Sequence, residues 1–526
     1  MLNLVLNRKI KRFINFNKIY FKNEIEIKNN SKILCEFTNN NSNIVAFSYL
    51  NYVLKKKYNC KSFGYINLFK KNYFDILKLS IKKFIGYKFF GLYKSFLIDD
   101  FIIAFQNNET QKKVKDYLDN DFQKIKSKKD LLFVKINDVL IGDYIYDSYL
   151  KENKLPTISN FNDKKFLDFF KKSLNSFYFW EDYFKKNKVV AVILSHTVYA
   201  DSIIARIASS KNITSYQCNW HNIQKIKKDR INAYIEFKTF RNDFSQLSNE
   251  NKEIAIKKTK LEIEKRLNLG IGFDNLNINN PSFSKNFSVK RIIENSNKKK
   301  ILISSHCFLD APHSYGPEGD IFEDYYTWLD FLYNFSKETK YDWYIKSHPN
   351  QMPYSNVIMK NFLENRKNFR FVSPSVSNLQ LIKEGVDCVL TVNGTVGWEF
   401  AYFGVPVINA SVNNPHISYN FNLHPRNLSE YKKMILNFSN YKIDFDKKKI
   451  IEYYFMKNIY TKSNWMLENY FKTIKDINGY ENLEKFEFYE YWIKNFSKQK
   501  FDKILSVVNN HISSSDNYLK NSSFLN

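Results

Sequence analysis

The chain has 526 residues, a formal net charge of +28 and 17% aromatic residues. This length predicts two domains of ordinary size with extensions, and 44% hydrophobic residues are enough for sizeable cores. No apolar run of about 18 residues occurs, and residues 1–20 are interrupted by Asn, Lys and Arg. The sequence therefore predicts neither a membrane-spanning helix nor a secretory signal. Five scattered cysteines without a CxxC pair favour a reduced, cytoplasmic protein.

The positive charge suggests nucleic-acid binding at first sight. However, the excess of Lys, Asn, Ile, Phe and Tyr is what A/T-rich codons encode, and no RNA-recognition, zinc-finger or Arg-rich signature accompanies it. We predict no nucleic-acid partner, and we expect attraction to anionic membrane surfaces or phosphorylated substrates instead.

The N-terminal half alternates predicted strands and helices. In chain order they are a strand at 33–37, a helix at about 44–57, a strand at 62–66, a strand at 189–195, a helix at 200–209 and a strand at 214–218. The strand at 189–195 (VVAVILS) is the strongest and ends at His196. Since ligands bind beyond the carboxyl ends of such strands, His196 and Asp201 are predicted to face an acceptor.

Two segments between these strands have more than one interpretation. Residues 76–98 contain five Lys and no acidic residue among many aromatic residues. They predict either an interfacial helix on a membrane that carries a lipid-linked acceptor, or a helical hairpin packed on the core. Farther along, Asp143 and Asp147 lie one helical turn apart. This pair suits either acid/base chemistry, with Asp143 as an acceptor-side candidate, or a helix start favoured by the dipole.

The C-terminal half repeats the alternation more densely. Predicted elements are a strand at 300–305, a helix at 321–335, strands at 342–346 and 369–372, a helix at 379–384, a strand at 388–392, a helix at 395–403 and a strand at 405–408. Five strands alternating with helices predict a parallel, doubly wound α/β sheet. The whole chain is thus predicted to hold two Rossmann-like domains facing a cleft, with helical insertions and a helical C-terminal extension.

The predicted boundaries follow composition. Residues 1–274 form the acceptor-side domain with a helical insertion at about 70–130, and the polar, Asn/Ser-rich residues 275–298 form a linker. Residues 299–440 form a nucleotide-donor-binding domain. Residues 441–526 form the helical extension, whose last fifteen or so residues are predicted to be disordered.

The most informative stretch is 387–409 (DCVLTVNGTVGWEFAYFGVPVIN), which combines strand, turn, helix and strand. Asn393 and Gly394 are a turn pair, and helical spacing begins at Thr395. Such a unit directs the backbone N–H groups of a helix start at the ligand crevice, which suits a phosphate. Glu399, one turn inside the helix, is predicted to reach ribose or sugar hydroxyls.

Two further strand ends carry candidate residues. The loop after the strand at 300–305 holds the catalytic candidates, of which one is predicted to be a general base: His306, Asp310, His313 and Glu318. A structural role for the two histidines is the alternative. No zinc-ligand spacing is present, and we predict no metal site. The strand at 342–346 ends in Lys346, His348 and Pro349, which suit a phosphate or carboxylate, or form a solvated loop.

IKSHPN (345–350) followed by NGTVGWEFAYFGVPVI (393–408) resembles the capsule and surface-polysaccharide biosynthesis proteins of the two-domain GT-B glycosyltransferase type, and more distantly the teichoic-acid polymerases. The resemblance covers about residues 300–410. It implies donor-phosphate contacts from His348, Pro349, Asn393, Gly394 and Thr395. The chain departs from some sialyltransferases, which carry an acidic-Gly catalytic pair, unless Glu318-Gly319-Asp320 fills that place.

The resemblance implies a glycosyltransferase that moves a sugar from a nucleotide-sugar donor to a growing surface polysaccharide of capsule or lipopolysaccharide type. We expect it to need no metal and no cofactor, because helix-start amides, Lys346 and His348 would offset the charge of the leaving phosphate. Its acceptor would be a glycan, with a lipid-linked one and peripheral contact with the inner membrane as further expectations. Three alternatives stay open: a nucleotide-sugar epimerase of similar build, a polyol-phosphate transferase of the teichoic-acid type, and a non-catalytic binding protein.

Overall fold

The computed structural model describes residues 8–22, 25–67, 73–84, 87, 89–269, 283, 287–288, 290–348, 351–467 and 469–525. Within them the strands are β1 (Lys32–Glu36), β2 (Lys61–Asn67), β3 (Asp100–Ala104), β4 (Lys135–Ile136), β5 (Val139–Leu140), β6 (Val189–Leu194), β7 (Ser215–Cys218), β8 (Ile223–Ile226), β9 (Lys300–Ser304), β10 (Asp342–Lys346), β11 (Phe369–Val372), β12 (Cys388–Thr391) and β13 (Val407–Asn409).

The α-helices are α1 (Arg8–Tyr20), α2 (Asn41–Tyr58), α3 (Tyr73–Phe84), α4 (Phe89–Ser95), α5 (Asn108–Asn120), α6 (Lys128–Leu132), α7 (Gly142–Asn153), α8 (Lys164–Lys186), α9 (Ile203–Ser210), α10 (Phe240–Ser245), α11 (Asn249–Leu269), α12 (Tyr325–Ser336), α13 (Pro353–Leu363), α14 (Asn378–Lys383), α15 (Val396–Ala401), α16 (Leu428–Asn437), α17 (Lys447–Tyr454), α18 (Tyr470–Asp476), α19 (Glu487–Lys494) and α20 (Lys498–Ser513).

The first sheet has the order β3-β2-β1-β6-β7-β8, and every pair is parallel except β7 with β8. Its two faces are buried separately because side chains alternate along each strand. Ile33 and Cys35 pack with α2, α4, α19 and α20, whereas Leu34 packs with α7, α8 and α9. Helices therefore cover both faces of this sheet.

The second sheet has the order β11-β10-β9-β12-β13 and is entirely parallel. Ile301 and Ile303 pack with α12, α13 and α16, while Leu302 packs against residues of α14 and α15. The predicted fold of two doubly wound, Rossmann-like α/β units is thus confirmed.

Two details differ from the sequence prediction. Within the region predicted as a helical insertion, Asp100–Ala104 forms β3, the edge strand of the first sheet. The chain end is ordered on the opposite edge of that sheet, because Lys225 N donates to Asn517 O at 2.7 Å and Leu519 N donates to Ile223 O at 3.0 Å. The predicted disorder of the last residues is therefore wrong.

The predicted linker lies partly outside the described residues, at 275–282, 284–286 and 289, and the domain boundaries stay a prediction. Of the helices in the described ranges, none combines the length and the apolar composition needed to cross a bilayer.

Candidate functional site

The loop that follows β9 connects the two units. His313 in this loop donates from Nδ1 to Asp147 Oδ1 at 2.6 Å and from its backbone N to Asp147 Oδ2 at 3.1 Å. Both residues are buried. Burial opposes the imidazolium, but the charge of Asp147 on α7 outweighs it and raises the pKa of His313 to about 9. The loop of the second unit is therefore fixed to a helix of the first.

A second polar contact joins the units beside the first. Asp324 Oδ2 accepts from Tyr146 Oη at 2.5 Å and from Thr157 Oγ1 at 2.6 Å. Its Oδ1 accepts from Thr327 N at 2.6 Å, which caps the start of α12. One carboxylate thus begins a helix of the second unit and binds two hydroxyls of the first.

The strand ends of the second sheet surround a polar cavity of about 240 Å³. His306 follows β9, His348 follows β10 and Asn393 follows β12, which are neighbouring strands. Because carboxyl ends of parallel strands meet at one edge, these residues come together there. The remaining lining residues are Cys307, Asp310, Ser314, Tyr315, Tyr325 and Met352.

Asp310 is the exposed carboxylate of this cavity. Burial lowers the pKa of His348 and that of His196, which follows β6 of the first unit, and the charge of Asp310 opposes part of each shift. Asp310 therefore lines the cavity together with His348 and lies within electrostatic reach of His196 of the first unit. This position suits a proton acceptor.

His306 has a different environment from the one predicted. Its Nε2 accepts from Val392 N at 3.2 Å and lies 3.0 Å from Thr391 Oγ1, while its ring stacks on Tyr325 with 4.5 Å between centroids. Burial lowers the pKa of His306 to about 3, with a smaller contribution from His348. His306 is therefore neutral at pH 7.

The turn at 393–395 is also engaged within the protein. Asn393 N points at His306 Nε2 at 3.5 Å, and Gly394 N donates to Thr391 Oγ1 at 3.2 Å. The predicted open cradle of backbone amides at Asn393 and Gly394 is therefore not present in this conformation, and the side chain of Asn393 faces the cavity instead. Thr395 is exposed and lies outside the cavity lining.

The prediction that Lys346 and Glu399 contact the ligand is wrong for this conformation, because both are buried and neither lines the cavity. Lys346 Nζ donates to Asn378 Oδ1 at 2.6 Å, and burial lowers the pKa of Lys346 to about 8. Glu399 is 0% exposed and accepts from Arg266 Nη2 at 3.0 Å and from Asn378 Nδ2 at 3.2 Å. The two residues form an internal polar network rather than a surface for phosphate or ribose.

The carboxylate of Asp143 is likewise paired inside the first unit. Arg206 Nη1 and Nη2 donate to the two oxygens of Asp143 at 2.5 and 2.7 Å, and both side chains are buried. The expected acceptor contact of Asp143 is thus replaced by a bidentate ion pair. His196 and Asp201 are exposed at the carboxyl edge of the first sheet, as an acceptor-side position requires.

The remaining predicted residues are placed as follows. His313 is 3% exposed and serves the contact with Asp147, so it is not open to a substrate. Glu318 is exposed but does not line the 240 Å³ cavity. It follows Gly316, whose φ of +94° lies in the left-handed region that favours glycine. Pro349 lies outside the described residues.

Sequence reasoning missed two residues at or near the site and left the role of a third open. Tyr325 was placed inside a predicted helix, yet it begins α12, lines the cavity and hydrogen-bonds to Asn393. Asp320 lies near His313, and burial raises its pKa to about 7. Tyr199, at the cleft beside Asp310, has a φ of 66°, a strained value for a tyrosine. Asp320 belongs to the Glu318-Gly319-Asp320 run that the sequence singles out, whereas no sequence pattern marks Tyr325 or Tyr199, because each depends on contacts between distant segments.

In the described part of the chain, no three His, Cys, Asp or Glu side chains are grouped to hold a metal ion. The fold and the cavity together define a two-sheet α/β protein with a polar pocket at the carboxyl edge of the second sheet. No protein-family model matches the chain, and no curated protein matches it either.

Several solved structures are similar to this chain at low identity. UDP-GlcNAc 2-epimerase from Neisseria meningitidis, bound to UDP-GlcNAc, is 12% identical over 81% of this chain and 96% of that chain, with a TM-score of 0.22. The wall teichoic acid polymerase TagF is 12% identical over 96% of this chain and 95% of that chain, with a TM-score of 0.20. UDP-GlcNAc 2-epimerase from Methanocaldococcus jannaschii is 12% identical over 80% of this chain and 97% of that chain, with a TM-score of 0.23. TM-scores of this size do not establish a shared fold.

Proposed function

We propose that the protein is a glycosyltransferase that moves a sugar from a nucleotide-sugar donor to the glycan acceptor of a growing surface polysaccharide. The observation that carries the proposal is that Asp310 lines the cavity of the second unit with His348 and lies within electrostatic reach of the exposed His196 of the first unit. A transferase of two substrates needs a donor side, an acceptor side and a base between them, and these residues supply each of the three.

The donor side of the reaction belongs to the second sheet. Its cavity offers the imidazoles of His306 and His348, the amide of Asn393 and the hydroxyls of Ser314 and Tyr325. These groups can donate hydrogen bonds to a nucleotide phosphate and offset the negative charge that develops on it as the sugar leaves. At about 240 Å³ the cavity is smaller than the about 300 to 1,000 Å³ of most ligand sites. A whole nucleotide sugar would therefore extend from the cavity into the cleft.

The transfer step is a displacement at the anomeric carbon. Asp310 takes the proton of an acceptor hydroxyl, the oxygen forms a bond to the anomeric carbon, and the bond between that carbon and the donor phosphate oxygen breaks. The nucleotide leaves with the electron pair of that bond, near His348. The acceptor hydroxyl would enter from the side of His196 and Asp201, which are exposed on the first unit.

A thermal-shift panel of CMP, CDP, UDP and GDP with their sugars tests the donor side. One nucleotide should raise the unfolding temperature selectively, since binding at about 100 times Kd stabilises the folded state by about 2.7 kcal/mol. His348→Ala should remove that shift because it deletes a hydrogen-bonding imidazole from the cavity. The matched control is His511→Gln, which changes a histidine on α20 away from the cavity. This variant should keep the nucleotide-dependent shift.

No selective shift with any nucleotide would contradict the proposal and favour a non-catalytic protein. Turnover of the selected donor without an acceptor, followed by NMR of the sugar, would favour the epimerase alternative. Transfer of a phosphorylated polyol from a CDP donor would favour the teichoic-acid type.

We also propose that helix α3 contacts an anionic membrane surface. Phe74, Leu77, Ile81 and Phe84 follow helical spacing and form one stripe, and they are 70%, 52%, 55% and 89% exposed. Lysines 78, 82 and 83 lie on the same helix. By contrast, α4 buries Phe90, Leu92 and Tyr93, as packing on the core requires, whereas the exposed stripe of α3 supports the interfacial interpretation. An apolar stripe with neighbouring lysines matches the boundary of an anionic bilayer.

Replacing Phe74 and Phe84 together by serine should weaken binding to vesicles of phosphatidylglycerol and phosphatidylcholine by about tenfold or more, because each buried Phe contributes about 1.5 to 3 kcal/mol. Co-sedimentation measures the binding. Val357→Ser, at a 54% exposed apolar residue of α13, is the control and should bind like the unchanged protein. Equal binding of the double variant would show that α3 does not contact the bilayer.

A further inference from the structure

Helix α7 of the first unit holds the β9–α12 loop (residues 305–324) of the second unit with two consecutive side chains. Tyr146 Oη donates to Asp324 Oδ2 at 2.5 Å, and Asp147 Oδ1 accepts from His313 Nδ1 at 2.6 Å. His313 lies three residues after Asp310 in this loop. The loop is therefore anchored to the first unit close to Asp310, on the C-terminal side of that residue.

The backbone next to Asp310 has an uncommon conformation. Ala311 has a φ of +30°, in the left-handed region that residues with a Cβ rarely adopt. Asp310 N donates to Cys307 O at 3.2 Å in one tight turn, and Ser314 N donates to Ala311 O at 3.1 Å in the next. A strained residue between two turns persists only where surrounding contacts hold it. The direction of the Asp310 side chain therefore depends on what holds Ala311.

The contact with Ala311 comes from Tyr199 of the first unit. Burial raises the pKa of Tyr199, the charge of Asp310 raises it further, and a hydrogen bond from the backbone N–H of Ala311 to its hydroxyl lowers it. Tyr199 has a φ of 66° and a ψ of 165°, a combination found essentially in glycine. Two strained residues, one from each unit, therefore meet beside Asp310.

The segment that carries Tyr199 is itself held by α7. Lys151 Nζ lies 3.8 Å from the centroid of the Tyr199 ring, a cation–π contact. Ala200 N donates to Ser148 Oγ at 2.7 Å. Lys151 and Ser148 belong to the same helix as Asp147. Helix α7 therefore fixes both sides of the contact between Tyr199 and the β9–α12 loop.

We infer that Tyr199 is a positioning residue for Asp310. Its hydroxyl fixes the backbone at Ala311, which keeps the carboxylate of Asp310 in the cavity with His348. The position of a carboxylate of the second unit is thus set by a side chain of the first, so the carboxylate is in place only while the two units are in contact. The inference rests on the proposed function only in taking Asp310 as the base.

The pKa of His196, followed by NMR of the full-length protein labelled at histidine, tests the inference without any substrate. Burial and the charge of Lys151 lower the pKa of His196, the charge of Asp310 opposes them, and His221 lies within electrostatic reach. Asp310→Asn should therefore lower the pKa of His196 further. Tyr199→Phe should reproduce most of that fall, because the carboxylate is no longer held. In the Asp310→Asn background, Tyr199→Phe should change nothing more.

Tyr341→Phe is the matched control. Tyr341 immediately precedes β10, at the amino edge of the second sheet, and its hydroxyl donates to Leu436 O at 3.0 Å. This variant should leave the pKa of His196 unchanged. In every variant the signal of His511, which is 4% exposed on α20, should stay in place and so report an intact fold.

Two results would overturn the inference. One is an unchanged pKa of His196 in Tyr199→Phe. The other is an equal fall of that pKa with and without Asp310, which would mean that Tyr199 acts on His196 directly.

The rate of sugar transfer separates this inference from the proposed function. Tyr199→Phe should lower the rate by about tenfold, because one hydrogen bond that holds the base is lost, and should keep the nucleotide thermal shift. It should cause no further loss in the Asp310→Asn background. If Asp310→Asn transfers sugar normally while the pKa of His196 responds as expected, the base assignment fails and the positioning of Asp310 by Tyr199 stands.

Discussion

Asp310→Asn should lower the rate of sugar transfer by about 10² to 10⁴-fold while the nucleotide thermal shift remains. Asparagine keeps the size of the side chain but cannot accept the acceptor proton, and general-base catalysis contributes about this much. Asp310 is exposed in the cleft and lines the cavity with His348, so its loss should affect chemistry rather than folding. Nucleotide release from the selected donor, with membranes of the source cells as acceptor, measures the rate.

Glu318→Gln is the matched control, because it changes an exposed carboxylate of the same loop that does not line the cavity. It should keep most of the activity. If Asp310→Asn transfers sugar within about threefold of the unchanged protein, the base lies elsewhere. A loss of rate with Glu318→Gln and none with Asp310→Asn would move the assignment to Glu318.

Asp143→Ala should lower the free energy of unfolding by about 3 to 5 kcal/mol, because it leaves Arg206 buried without its counter-ion. Arg206 is 2% exposed, and its Nη atoms also donate to Leu140 O at 3.0 Å and Asn232 Oδ1 at 2.9 Å. These two neutral acceptors do not compensate a full buried charge. The shift of the first urea transition measures the change, since a protein of this size need not unfold in one step.

Two comparisons make this prediction specific. The double change Asp143→Leu with Arg206→Met should recover much of the stability, because replacing both partners of a buried pair by apolar residues is often neutral. Asp502→Ala, which breaks a pair whose partners are 68% and 57% exposed, should cost well under 1 kcal/mol. An equal, small effect for Asp143→Ala and Asp502→Ala would show that the buried pair does not stabilise the fold.

The sequence was sufficient for the architecture and for the location of the cavity. Alternating apolar strands and helices specify parallel sheets, and the carboxyl ends of neighbouring parallel strands must meet at one edge. His306, His348 and Asn393 follow three such strands, so their convergence could be predicted without coordinates. The hydrogen-bond partners of these three residues could not be predicted from the sequence.

Tertiary structure decided which polar residues face a ligand. Lys346 and Glu399 belong to the predicted strand and helix, but they turn inward because Asn378 and Arg266 lie there, and Arg266 is 133 residues from Glu399 in the chain. His313 is fixed by Asp147, which is 166 residues away. Local periodicity reports only which face of an element is apolar. Whether a buried charge finds its counter-ion depends on distant segments, and that pairing separates the internal polar network from the open cavity.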